Sequence, residues 1–276
     1  FRSRQLNLTE SITVPETTAV LVIASPHTEF LAGEIKAIKK YLDAGGNLLW
    51  LQEPQSKAQL TPLAEYLQIS FGAGVVVDLD IQLLGVSDPT IMMGNYQPHA
   101  ITENFNVLTL FPRVAGITYQ QKDEWQVTPF LQSIERSWLE TGELRGSIRF
   151  DEGVDIAGPI TAGLAMTREI KSAANAAADK PADDKGKTHR IVVLGDGDFM
   201  SNAYLGNQGN QQLGENIINW LSHDDSFIEI PSRTAPDAQL VVNETSMILL
   251  GTLYLLVIPL ALIGIGVFIW LRRRKR

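Results

Sequence analysis

Asp196 and Asp198 are the residues of this chain best suited by type and spacing to do chemistry. They follow the apolar run Ile191-Val192-Val193-Leu194 and alternate with Gly195 and Gly197. Two carboxylates two residues apart after a strand can share a divalent cation or support phosphoryl transfer around one. A phosphatase-type loop would also want a threonine two residues on, where this chain has Met200. The plainer reading is preferred: the glycines permit a tight turn and the aspartates cap the next segment. No metal and no cofactor is therefore assigned. Two earlier apolar runs end in polar residues as well. Val20–Ala24 leads into Ser25, Pro26 and His27, and Asn47–Leu51 leads into Gln52, Glu53 and Pro54. Open parallel sheets bind ligands at the carboxyl ends of their strands. If the three strands are neighbours, Ser25, His27, Glu53, Asp196, Asp198 and Asn202 form one ligand-binding rim.

Other chemistries find little support. The chain has no cysteine, which excludes disulfides, thiolate metal sites and cysteine nucleophiles. No Gly-x-Ser-x-Gly elbow and no Gly-x-x-x-x-Gly-Lys phosphate loop occurs. His27, His99, His189 and His223 are scattered and show no zinc-ligand spacing. Trp125 and Trp138 could stack on a sugar, but core packing is the more usual role of an indole. No catalytic residue is assigned. The competing expectation is a membrane-tethered hydrolase or metal-dependent enzyme using His27, Glu53, Asp196 and Asp198. A third is a purely structural tether.

The elements that must position this rim can be read from periodicity. Val20–Ala24 predicts a strand buried on both faces. Apolar residues at 30, 31, 35, 38 and 42 predict an amphipathic helix with Thr28 as its N-cap, stopped by Gly45-Gly46. Asn47–Leu51 is the next strand, so the unit is β-α-β with parallel strands. A helix over 61–67 and a strand at Val75–Val77 follow. Residues 85–130, punctuated by Pro89, Pro98, Pro112 and Pro129, predict short strands at most. Residues 171–188, rich in Ala, Asp and Lys, predict a flexible loop. Ile191–Leu194 is the strongest strand, and Leu213, Ile217, Ile218 and Leu221 mark a helix after it. Ile228–Ile230 predicts a last edge strand. The fold class is α/β, an open and mostly parallel sheet flanked by helices, over residues 1–236.

A spacer, 237–244, leads to a run of 27 residues without a charge, Thr245–Leu271, closed by five basic residues at 272–276. As one helix this run would rise about 40 Å, more than a hydrocarbon core of about 30 Å. The basic tail is expected on the cytoplasmic side and the large domain on the other. The localisation expected is therefore a bacterial inner membrane, with lipid around a single-pass anchor. Gly251, Pro259, Gly264 and Gly266 are expected to let that helix pack against other membrane helices. Net charge is −8, and without the tail 18 basic residues face 31 acidic ones, −13. That balance argues against nucleic acid and anionic headgroups as partners of the large domain. To carry the domain across the membrane, the expectation is either an N-terminal part since removed or a longer membrane protein of which this chain is a fragment.

In their order along the chain these segments resemble the auxiliary component of gliding-motility-type ABC transport systems. The resemblance is carried by Leu6-Asn7-Leu8, Val20–Pro26, Tyr41–Leu51, Ser137–Glu140, Asp155–Pro159, Val193–Asn202, Asn216–Leu221 and the basic-ended terminal segment. It implies a flavodoxin-like scaffold related to class I glutamine amidotransferases and to an intraflagellar-transport-like module. Amidotransferase activity needs a cysteine, so it does not carry over. The implied partners are ABC permease and ATPase subunits, with a glycan or peptide as the ligand class for the rim.

Overall fold

The computed structural model describes residues 2–84, 88–121, 124–142, 144, 148–169, 188–223, 255–256 and 258–274. Two compact units are separated between Pro231 and Ser232.

The first unit begins with β1 (Val20–Ala24), α1 (Ala32–Asp43) and β2 (Asn47–Leu51). Next come α2 (Thr61–Leu67), β3 (Ile69–Phe71), β4 (Val75–Val77), β5 (Ile91–Met93), β6 (Asn95–Tyr96), β7 (Leu110–Pro112) and β8 (Ile117–Tyr119). The later elements are β9 (Gln126–Gln132), β10 (Trp138–Glu140), β11 (Ile156–Ala157), β12 (Thr161–Glu169), β13 (Thr188–Leu194) and α3 (Asn210–Leu221). The central sheet has the order β1-β2-β13-β12-β9-β6.

Only half of that sheet is parallel. β1, β2 and β13 run together, with Leu21 opposite Leu48 and Val193 opposite Trp50. β12, β9 and β6 continue it through antiparallel pairings. The expected mostly parallel sheet is thus corrected to a mixed one. Antiparallel neighbours, unlike parallel ones, need no helical crossover between them, so these pairings place no helix requirement on the chain. Val75–Val77 is a strand, but it lies in a separate three-stranded antiparallel sheet with β10 and β11.

Alternation along the strands divides the core in two. Leu49, Leu51, Val192 and Leu194 pack on one face with Leu213, Ile217 and Trp220 of α3. Leu48, Trp50, Ile191 and Val193 pack on the other with Ile35, Ile38 and Leu42 of α1 and Leu63 and Leu67 of α2. A strand covered by helices on both faces is buried along its whole length, as β2 is, and its one polar residue, Asn47, is hydrogen-bonded to the Ala19 carbonyl and the Arg190 N–H. β1 departs from the expectation. It lies at the sheet edge, and Val22 is 48% exposed. A groove lined in part by Leu6, Val20, Val22 and Ile218 runs beside it.

α1 starts later than expected. Thr28 is exposed ahead of it, and the Glu34 carboxylate caps the helix by accepting the Leu31 N–H at 2.7 Å. Gly45, at φ 86°, supplies the left-handed residue that stops it.

His189 lies near the start of β13 and is fully buried against Trp125, with ring centroids 4.8 Å apart. Burial pushes His189 and His99 down to about 4, and the nearby Arg168 and Arg190 charges push the same way. Each histidine stays neutral in the native state but protonates near 6.5 when unfolded. Their contribution is therefore complete above pH 6.5 and is lost as pH falls toward 4. Buried Asp78 and Asp196, both raised, act with the opposite sign. Between pH 7 and pH 5 the His189 contribution to stability is expected to fall by about 1–2 kcal/mol. His189→Gln should shrink that fall, and an unchanged pH slope in the variant would reject the assignment.

In the second unit, α4 spans Ile258–Arg274. Its apolar part, Ile258–Leu271, rises only about 21 Å, less than a hydrocarbon core of about 30 Å. Among the described residues no helix is long and apolar enough to cross a membrane. The expected 27-residue spanning helix is not shown: of residues 245–271, the described part of α4 covers only the last fourteen. Pro259 is the second residue of α4 as described, and residues 255–256 ahead of it are also helical. A side chain built at Gly264 or Gly266 would touch nothing within 4 Å. The expectations for 171–187, Ile228–Ile230, the 237–244 spacer and Gly251 lie outside the described residues.

Candidate functional site

The ends of β1, β2 and β13 are adjacent because those strands are adjacent. Backbone bonds carry the alignment past the strands: Ser25 N–H donates to Leu51 at 2.9 Å, and Gln52 N–H to Leu194 at 2.9 Å. Ser25 turns sharply, at φ 44°, and its hydroxyl donates to Glu53 Oε1 at 2.8 Å. The same oxygen accepts the Gly197 N–H at 3.0 Å. Glu53 thereby links all three strand ends.

Gly197 is required for this approach. A Cβ there would run into Ser25 Oγ and come within 3.1 Å of Glu53 Oε1. Asp196 lies just before it and is 1% exposed. Its Oδ1 accepts the Asp198 N–H at 2.8 Å, while Oδ2 has no hydrogen-bond partner. Burial pushes Asp196 well above the usual carboxylate range. The Glu53 and Asp198 charges add to that, and the Asp198 N–H and, more weakly, the Phe199 N–H oppose it. Asp198 is exposed at the start of a 3-10 turn, Asp198–Met200. One oxygen from each of Glu53, Asp196 and Asp198 lies within 4.8 Å of the others.

The six rim residues divide here. Ser25, Glu53, Asp196 and Asp198 meet. His27 is exposed and is not part of the carboxylate cluster. Asn202 is exposed beyond the 3-10 turn. Gln52 is fully buried below the rim, where it accepts from Trp50 Nε1 at 3.1 Å and donates to Ala58 at 3.0 Å. Trp125 and Trp138 are 8% and 5% exposed, so both are core residues and offer no stacking surface.

Sequence reasoning missed Asn210. It is fully buried at the start of α3, accepts the Leu110 N–H at 3.0 Å and donates to Leu110 at 2.9 Å and Tyr204 at 3.1 Å. These bonds tie α3 to β7 and to the segment following the rim. Nothing in the spacing Gly209-Asn210-Gln211 distinguishes it from a surface asparagine.

A family model described as an ABC-type uncharacterized transport system matches residues 1–228. The chain belongs to this ABC-type transport auxiliary family. The match takes in β1 through α3, and so the whole rim. No curated protein matches the chain. Among solved structures, one described as mmIFT52 N-terminal domain is similar, with a TM-score of 0.50 at 17% identity. The likeness covers 74% of this chain and 77% of that one. At that identity it speaks for the fold alone. The auxiliary family thus has here a mixed-sheet α/β scaffold whose strand-end rim is acidic.

Proposed function

We propose that this chain is a non-catalytic auxiliary domain or subunit of a bacterial ABC-type transport system. Membership of the auxiliary family carries the reading. The permease and ATPase would supply the membrane path and the energy, since this sequence has no phosphate-binding loop of its own. The large unit would face away from the cytoplasm. Residues 245–271 would hold it at the inner membrane, with the basic tail on the cytoplasmic side. The charge asymmetry supports this arrangement: a −13 remainder against a tail of five basic residues. The open surface around Gly264 and Gly266 supports packing of α4 against a permease helix. The rim is the proposed contact for exported material, a glycan or a peptide.

No observation favours the hydrolase reading over this one. The carboxylates are close, but His27 is not among them and the chain has no cysteine nucleophile. The test is recovery of transporter subunits with the tagged full chain from native membranes. An ABC permease or ATPase identified in the eluate supports the assignment. Their absence, with the chain itself recovered, removes it.

A further inference from the structure

The rim carboxylates are arranged as a ligand set. One oxygen from each of Glu53, Asp196 and Asp198 falls within 4.8 Å of the others. Oxygens bound to one ion at about 2.1 Å for Mg²⁺, or about 2.4 Å for Ca²⁺, are separated by at most about 4.2–4.8 Å across the ion. The bound on the cluster reaches the outer edge of this range, so the three oxygens can converge on one ion by side-chain adjustment. Among the described residues no Lys, Arg or His is paired with any of the three; the ion pairs Arg136–Asp80 and Arg168–Glu124 lie elsewhere.

A second observation is independent of the clustering. Asp196 is 1% exposed, and its Oδ2 has no hydrogen-bond partner. Its other oxygen is held by the Asp198 N–H, so the carboxyl group is fixed within the cluster. A buried carboxylate oxygen left unsatisfied is costly, and such groups are usually paired or bound to a metal. Glu53 is held just as firmly, by Ser25 and by Gly197. A turn-capping role accounts for Asp196 Oδ1 but leaves Oδ2 and the three-carboxylate convergence unexplained.

We propose that Glu53, Asp196 and Asp198 bind one hard divalent cation, Mg²⁺, Mn²⁺ or Ca²⁺, at the ends of β2 and β13. All-oxygen donors select this class over zinc or copper. Three protein oxygens leave the remaining positions to water, as Mg²⁺ in particular prefers. Asp198, exposed at the mouth, closes the site from the solvent side. The proposal stands on this geometry and does not depend on the transport role.

Mn²⁺ binding to the purified, metal-stripped full chain, followed by electron paramagnetic resonance, tests it. One saturable site is expected, with a dissociation constant between about 10⁻⁵ and 10⁻³ M, and with Mg²⁺ or Ca²⁺ as competitor. Asp198→Asn, at an exposed position, should weaken binding at least about tenfold while leaving the unfolding midpoint of the metal-stripped protein unchanged. Asp88→Asn, an exposed acid outside the cluster, should bind as the unaltered chain does. Lack of saturable binding up to about ten times the weaker limit of that range, or equal binding by Asp198→Asn, would overturn the proposal.

Discussion

Trp50→Ala is expected to cost about 3–5 kcal/mol, the usual range for emptying a buried aromatic site. Trp50 is fully buried in the middle of the parallel half of the sheet, opposite Ile23 and Val193. Its ring meets Phe71 edge-on at 5.1 Å, and its N–H donates to Gln52 at 3.1 Å. Truncation leaves a large void between β2 and α1, and it also strips the buried Gln52 carbonyl of its donor. For a domain of this size each kcal/mol moves the midpoint by about 2–4 °C, so a fall of roughly 10 °C is expected in a thermal melt. Trp50→Phe keeps most of the volume and should recover more than half of the loss. A melt within about 2 °C of the original, less than 1 kcal/mol would produce, would show that the β2 core is not packed as described.

Gly195→Ala is expected to cost about 3 kcal/mol or more, through overpacking against backbone. A Cβ at this position would collide with the Ala115 carbonyl oxygen and lie 3.0 Å from its carbon. Neither partner can swing away. Ala115 N–H donates to Gly195 at 2.7 Å, and Gly195 N–H donates to Ala162 at 2.8 Å. The glycine is thus fixed between two backbone segments at the point where β13 becomes the rim. Gly33→Ala is the contrast: it lies in α1, nothing is within 4 Å of its Cβ, and the change should be neutral or stabilising by up to about 1 kcal/mol. If the two alanine variants melt alike, the close approach of Ala115 to Gly195 is not a feature of the folded protein.

The β1-α1-β2 unit and the β13-loop-α3 unit are legible in the sequence because their signals are local. Apolar runs of four or five residues, a 3.6-residue period and glycine stops mark them directly. The adjacency of β13 and β2 is a pairing between residues some 140 positions apart, as in Arg190 N–H to Asn47, and no local pattern encodes it. The antiparallel half was obscured for a different reason. β9 contains Pro129, and its pairing with β12 slips around Gly163, so alternation is broken where it would have been diagnostic. Val75–Val77 shows the limit of burial as a guide. A fully apolar triplet fits a parallel core strand and a strand of a small covered sheet equally well.

Of the site, residue types were legible but contacts were not. The Gly195-Asp196-Gly197-Asp198 run announces a tight turn with carboxylates. That Glu53 reaches the Gly197 amide, and that Asp196 Oδ2 is buried without a partner, are consequences of strand order. His27 has the chemistry of a site residue but is carried outward by the turn at Ser25. In the terminal segment, composition predicts an apolar helix, and the described part is one. Its length over the described residues falls short of the span that composition alone implies.

The measurement that bears most directly on the auxiliary role is cross-linking mass spectrometry on the tagged full chain in native membranes. The account predicts cross-links from the unit Phe1–Pro231 to an ABC permease subunit, with the ATPase recovered in the same complex. A chain recovered in quantity, with no ABC subunit above the untagged control, would contradict it.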